Sequence, residues 1–67
     1  MNFTEQQIND WHAYERVRKG GRWNMFMPQA RAATGLSRDD YLFVMRNFVE
    51  LRDAAIDAAI DAAKVKS

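Results

Sequence analysis

The sequence has no cysteine, one proline (Pro28), one histidine (His12) and only three glycines among its 67 residues. The absence of cysteine excludes a disulfide framework, a thiolate zinc site, an iron–sulfur cluster and a cysteine nucleophile. The longest apolar run covers residues 41–45, far short of the roughly 20 apolar residues that cross a bilayer. We therefore expect a soluble, cytoplasmic protein that does not enter a membrane.

A large net charge is also lacking, since the chain carries only +1 at neutral pH. The charges are nevertheless separated along the sequence. Residues 16–31, the basic window, contain Arg16, Arg18, Lys19, Arg22 and Arg31 and no acidic residue. Acidic residues dominate residues 39–61. This separation indicates either an anion-binding face or two surfaces that complement each other between subunits.

Local helix signals divide the chain into elements. Thr4 and Gln7 have the spacing of a capping box, and Gly20 and Gly21 can end a helix, which predicts a helix over about residues 4–19. Pro28 is typical of a first helical position and Gly35 of a helix end, so a short helix is expected over about residues 28–34. Residues 20–27 form the connector between these two helices.

A long helix is predicted for the rest of the chain. Ser37 has the position of an N-cap, and neither glycine nor proline occurs after it, so the helix can extend over about residues 37–64. Its length would be roughly 40 Å at 1.5 Å per residue. We predict one all-α domain over residues 1–67, in which two main helices form a hairpin with one short helix.

A helix of this length exceeds the compact body that 67 residues can form, so part of it should stay uncovered by its own chain. Its apolar seam runs through Tyr41, Val44, Phe48, Leu51, Ala55, Ala58, Ala62 and Val65. Large side chains fill the first half, whereas alanine and isoleucine in the second half would let another helix approach. We therefore predict a homo-oligomeric helical bundle. The residues assigned to self-association are Ala55, Ile56, Ala58, Ala59, Ile60 and Ala62.

The acidic row, Asp53, Asp57 and Asp61, repeats every four residues along the same helix. Residues at this spacing share one helix face. The row is interpreted as a solvated stripe, with contact to the basic window of a neighbouring subunit as the alternative.

Catalytic chemistry has few residues to work with. His12 is the single histidine, and no nucleophile elbow, phosphate loop or metal-spaced ligand set accompanies it. We predict that the protein is not an enzyme and holds neither a metal nor a cofactor.

The basic window is the best candidate for a functional surface, because arginines that alternate with aromatic residues can bind phosphate, carboxylate or a base. The predicted ligand- or partner-binding residues are Arg16, Arg18, Lys19, Arg22, Trp23, Asn24, Phe26 and Arg31. A nucleotide-like anion, an oligonucleotide or an acidic protein surface would each suit such a surface. In the alternative interpretation, the apolar residues of the connector simply fill the space between the helices.

Two other functions are compatible with the sequence. The segment from Gln29 to Ser37 is similar to the turn of a helix-turn-helix, which would make the protein a small DNA-binding regulator. Asp39 and Asp40 at the start of the next helix oppose this, because they would face DNA phosphates. The second alternative is a structural oligomer such as a virion component.

The sequence of residues 11–51 resembles that of a group of small accessory proteins of tailed bacteriophages. The similarity lies in the segments 14–19, 21–26, 30–36 and 41–45 rather than in a catalytic motif. It implies action inside an infected bacterium, through binding of a host enzyme or defence complex, or sequestration of a nucleotide signal. It assigns no role to any residue.

Overall fold

The structure is a computed structural model that describes residues 3–65, with the side chain of Val65 outside the description. Four helices occur in this part of the chain: α1 (Glu5–Gly20), α2 (Pro28–Thr34), α3 (Arg38–Arg46) and α4 (Phe48–Val65). Residues 3–65 contain no strand. The prediction of an all-α fold is confirmed, and α1 and α2 begin and end within about one residue of the predicted bounds.

The helix ends form as their local chemistry predicts. The Thr4 hydroxyl accepts a hydrogen bond from the Gln7 N–H at 3.1 Å, and the Gln7 side chain accepts one from the Thr4 N–H at 2.9 Å. At the start of α3, the Ser37 hydroxyl accepts a hydrogen bond from the Asp40 N–H at 3.2 Å. Gly21 and Gly35 follow α1 and α2 at φ 69° and 76°, in the left-handed region where a residue without a Cβ is favoured.

The long helix predicted over residues 37–64 is wrong in one respect, because Asn47 interrupts it. The backbone of Asn47 lies at φ −113° and ψ 26°, outside the helical region. Its side-chain amide donates to the carbonyl of Phe43 at 2.9 Å. Asparagine readily makes such local bonds, which compete with the helical hydrogen-bond ladder and favour helix ends. The chain therefore has two shorter helices, α3 and α4, in place of one helix of about 40 Å.

The core lies where α1 meets α3 and the first half of α4. Its ring contacts centre on Tyr14, whose ring centroid lies 5.0 Å from that of Tyr41 and 5.8 Å from that of Phe48. Burial raises the pKa of both tyrosines. The Trp11 indole N–H is buried without an acceptor among the described residues. The buried apolar residues of this cluster are Trp11, Tyr14, Tyr41, Val44, Leu51 and Ala55.

The start and the later part of α4 lie beside different parts of α1. Its first residue, Phe48, lies beside Tyr14 in the second half of α1. Further along, Asp57 and Asp61 share a depression of about 500 Å³ with Phe3 and Ile8, at the beginning of α1. The later part of α4 therefore lies near the beginning of the described chain, whereas the connector follows the other end of α1.

The last part of α4, residues 56–64 (the α4 tail), has no buried side chain. The prediction of an uncovered helix end is therefore confirmed. The described chain measures 41 × 23 × 17 Å, and its radius of gyration is 12.7 Å, above the roughly 11 Å expected for a compact chain of this length. The excess reflects the shape of the molecule, a packed body with one helical projection.

Candidate binding site

The connector between α1 and α2 is a defined turn. The Asn24 side-chain oxygen accepts a hydrogen bond from the Phe26 N–H at 2.9 Å, and the Asn24 carbonyl accepts one from the Met27 N–H at 2.9 Å. The buried Tyr41 hydroxyl donates to the Met25 carbonyl at 2.6 Å. The first two bonds fix the shape of the turn, and the third fixes it to α3. Asn24 thus has a structural role in the turn, besides its predicted role in binding.

A groove of about 400 Å³ lies between this turn and the outer face of α3. Most of its lining is apolar, with a high share of methionine, whose flexible side chain adapts to different partners. Arg31 from α2 and Arg38 from α3 supply its positive charge. We call it the methionine groove. Its lining residues are Met25, Phe26, Met27, Pro28, Arg31, Arg38, Tyr41, Leu42 and Met45.

Phe26 is 83% exposed at the edge of this groove, and Met27 beside it is 40% exposed. Both side chains are continuous with the apolar lining of the groove, and contiguous exposed apolar surface of this kind marks binding grooves and interaction sites. Met25 of the same turn packs against the core, and Trp23 is half-buried. The connector is therefore divided: Met25 faces the core, as the filling interpretation predicts, whereas Phe26 faces solvent.

Arg18 is engaged within its own helix. Its guanidinium donates to both carboxylate oxygens of Glu15, with Nε at 2.7 Å, and lies 5.4 Å from the centre of the Phe48 ring. These hydrogen bonds hold the pKa of the nearly buried Glu15 below its ordinary value and raise that of Arg18. Arg18 therefore serves to neutralise a carboxylate at the edge of the core, which makes it a poor candidate for binding an external anion.

The other residues of the basic window do not converge on one site. The Arg22 guanidinium lies 5.2 Å from the centre of the Trp23 ring, a cation–π arrangement. Arg16 and Lys19 are exposed on α1, about one turn apart. Only Arg31 joins Phe26 in the lining of the groove.

Several groove residues lie outside the set predicted from the sequence, namely Met25 and Met27 of the connector, Pro28 of α2, and Arg38, Tyr41, Leu42 and Met45 of α3. The pattern did hold a relevant signal, because Arg38, Leu42 and Met45 are spaced four and three residues apart and so share one helix face. What the pattern could not show was that the connector lies against this face.

The residues predicted for self-association lie mostly on the α4 tail. Ile56 and Ile60 are 49% and 47% exposed, and Ala58, Ala59 and Ala62 are exposed as well. Ala55 needs a correction, because it is buried in the core of its own chain. The body of the molecule extends one turn farther along the seam than the residue pattern alone indicated, so the surface of Ala55 is already used.

The single histidine, His12, lies on the exposed side of α1. Its ring packs edge-on against Trp11, with the ring centroids 5.1 Å apart. Within residues 3–65, no group of three or more histidine, aspartate or glutamate side chains could hold a metal ion. No helix in this described part has both the length and the apolar character needed to cross a bilayer.

Comparison with protein-family models, with curated proteins and with solved structures finds no match for this chain.

Proposed function

We propose that this chain is a non-enzymatic accessory protein of a tailed phage, and that it binds a host protein through the methionine groove. The phage origin rests on the resemblance of residues 11–51. The binding role rests chiefly on one observation, the exposed Phe26 ring that a fixed turn holds at the edge of an apolar groove.

The rigidity of this edge supports a binding role. Two hydrogen bonds hold the turn in place before any partner arrives: the Phe26 N–H donates to the Asn24 side chain, and the Tyr41 hydroxyl donates to the Met25 carbonyl. A preorganised aromatic residue loses little conformational freedom on binding and can therefore act as an anchor. Methionines around such an anchor adapt to the shape of the partner.

The groove favours a protein partner over a nucleotide-like ligand. Phosphate recognition needs several cationic or N–H groups that converge on one point. In this groove only Arg31 and Arg38 supply charge, while Arg18 is paired with Glu15 and Arg22 lies over Trp23. An apolar channel with arginines at its edge suits an amphipathic helix that carries carboxylates beside its apolar residues.

The test is affinity capture from a lysate of infected bacteria, with wild type compared with Phe26→Ala. Phe26 contributes little to the core, so the variant should fold normally. Val49→Ala, which truncates another exposed apolar residue away from the groove, is the matched control. We expect a captured protein to disappear with Phe26→Ala and to remain with Val49→Ala. Equal capture by both variants would contradict the proposal.

A second pair of variants tests the charges. Arg38→Glu should weaken capture of the same protein by reversing a charge at the groove, whereas Arg16→Glu, on the outer face of α1, should have little effect. A thermal shift produced by cyclic or dinucleotide ligands, lost with Arg16→Glu and not with Arg38→Glu, would instead favour a nucleotide ligand on α1.

DNA binding is the second candidate, because α2, the left-handed Gly35 and the capped start of α3 do form a short helix–turn–helix connection. Asp39 and Asp40 are both exposed at the start of α3, where they would repel the phosphate backbone. A duplex mobility shift with a steep salt dependence would support this candidate against the first.

A further inference from the structure

We infer that the α4 tail of one copy docks into the methionine groove of a second copy, an assignment that rests on the proposed role of the groove as a binding site. The host protein and the second copy would then compete for one surface. Each of the two docking surfaces is exposed in the single chain, and their chemistries are complementary.

The first surface is a ridge on the α4 tail. Ile56 and Ile60 are half-exposed and separated by four residues, so their Cβ atoms lie about 6 Å apart on one side of the helix. Asp53 and Asp57 are exposed beside them, within about 100° around the helix axis. The ridge therefore has two apolar side chains with carboxylates along one flank.

The second surface is the methionine groove, which has the opposite arrangement. Its interior is made by methionines together with Leu42 and the Phe26 ring, and Arg31 and Arg38 border it. The isoleucines of the ridge fit the apolar interior, while the carboxylates beside them can meet the two guanidinium groups. Apolar shape and charge thus select the same occupant.

The tail cannot reach the groove of its own chain. The α4 helix starts beside Tyr14, in the second half of α1, and passes Phe3 and Ile8 at the beginning of α1. The groove is formed by the connector at the other end of α1, a helix of 16 residues that spans about 24 Å. A contact between tail and groove therefore has to join two molecules.

A twofold arrangement closes this contact. Two copies placed antiparallel along their 41 Å axis would bring each tail to the groove end of the other. Both contacts are then identical, and no open tail or groove remains to extend the assembly. The acidic row of each copy would also lie near the basic window of its neighbour, which explains why a chain of net charge +1 separates its charges so strongly.

The experiment is sedimentation equilibrium of the full chain from micromolar to millimolar concentration. We expect a monomer–dimer equilibrium that Phe26→Ala and the double variant Ile56→Ala/Ile60→Ala both weaken, each by at least about tenfold. Val49→Ala should leave the dimer unchanged. All of these positions are exposed, so the helical circular dichroism of each variant should match that of wild type.

Mixing the two variants gives a sharper result. A heterodimer of Phe26→Ala with Ile56→Ala/Ile60→Ala keeps one intact contact, formed by the wild-type tail of the first chain and the wild-type groove of the second. Because Phe26 and the two isoleucines would meet in the same contact, breaking both sides of one contact costs little more than breaking one side. The mixture should therefore associate more tightly than either variant alone. Likewise, Arg38→Glu and Asp57→Lys should each weaken the dimer, and a chain that carries both changes should recover at least part of the lost affinity.

Three outcomes would overturn the inference: a monomer throughout the concentration range, a dimer indifferent to Phe26→Ala, or a mixture no tighter than its parts. The second outcome would indicate direct pairing of two tails. Failure of the host-protein proposal is recognised separately, because it depends on lysate capture rather than on the dimer. If both proposals hold, the double isoleucine variant should capture the host protein at least as well as wild type, since its groove is free.

Discussion

The two halves of α4 are joined by one sequence repeat but have different surroundings. Leu51 and Ala55 in the first half are buried against α1, whereas no side chain of residues 56–64 is buried. The repeat of alanine, isoleucine and aspartate continues across the boundary without a break. The first half is thus held by tertiary packing, while the second depends on helix propensity and on being continuous with a packed helix.

The largest expected difference in stability comes from truncating one aliphatic side chain in each half to alanine. Leu51→Ala should lower the free energy of unfolding by about 2–5 kcal/mol, because it leaves a cavity in the core. Ile60→Ala should change it by no more than about 0.5 kcal/mol at a concentration where the chain is monomeric. Urea unfolding of both variants measures the difference. A similar loss in both would mean that the tail is covered within its own chain.

A carboxylate at the edge of the core, Glu15, and one on the α4 tail, Asp57, should also differ in their contribution to stability. Arg18→Met keeps an apolar side chain near Phe48 but leaves the nearly buried Glu15 without its donor, at a cost of about 1–2 kcal/mol near neutral pH. Asp57→Asn, which removes an exposed charge from the tail, should change stability by less than about 0.5 kcal/mol. Chemical denaturation at neutral pH tests both.

The pH dependence of stability depends on the same pair. Arg18 lowers the pKa of Glu15 in the folded protein from an ordinary value of 4.5. The stabilisation is therefore fully present above the ordinary pKa and is lost as the pH falls through the lowered value. Glu15→Gln should reduce the fall in melting temperature over this acidic range. An unchanged acid profile would show that the ion pair does not persist in solution.

A smaller effect on stability is expected at the hydrogen bond that holds the connector against α3. Tyr41→Phe removes the hydroxyl that donates to the Met25 carbonyl and should destabilise the protein by about 1 kcal/mol. The same change should speed amide hydrogen exchange in residues 22–27, because the turn loses its attachment to α3. Unaltered exchange in this segment would mean that the hydrogen bonds accepted by Asn24 alone fix the turn.

The smallest effect on global stability is expected within the tail. Ala59→Gly should cost about 1 kcal/mol of local helix formation, and hydrogen exchange in residues 56–64 should increase. Global unfolding should shift little, because this part of α4 contributes few packed contacts. If the free energy of global unfolding falls by the full amount of about 1 kcal/mol, the two halves of α4 unfold as one unit.

Features that depend on residues three or four positions apart could be predicted from the sequence. The caps at Thr4 and Ser37 and the helix end at Gly35 involve neighbouring backbone groups only. The interruption at Asn47 was missed because the residues around it favour a helix. The side-chain bond of Asn47 to the Phe43 carbonyl is a local signal, whereas the contacts of the next residue, Phe48, with Trp11 and Tyr14 are tertiary.

The candidate site could be predicted only in part for the same reason. Phe26 and Arg31 were identified from the alternation of basic and aromatic residues, and both line the groove. Arg38 was not assigned to it, since a hydrogen bond between residues 16 positions apart, Tyr41 to Met25, holds the connector beside α3. Where the body ends along α4 is equally a property of packing, which is why Ala55 was placed on the wrong surface.

The two tryptophans give this molecule a pair of internal optical reporters. Trp11 is buried among the rings of the core, whereas Trp23 is half-buried on the connector beneath the Arg22 guanidinium. Their indoles experience different polarity, so Trp11 should emit at the shorter wavelength. Fluorescence can therefore follow the core and the connector separately in one unlabelled chain, and a ligand in the groove should change mainly the emission of Trp23.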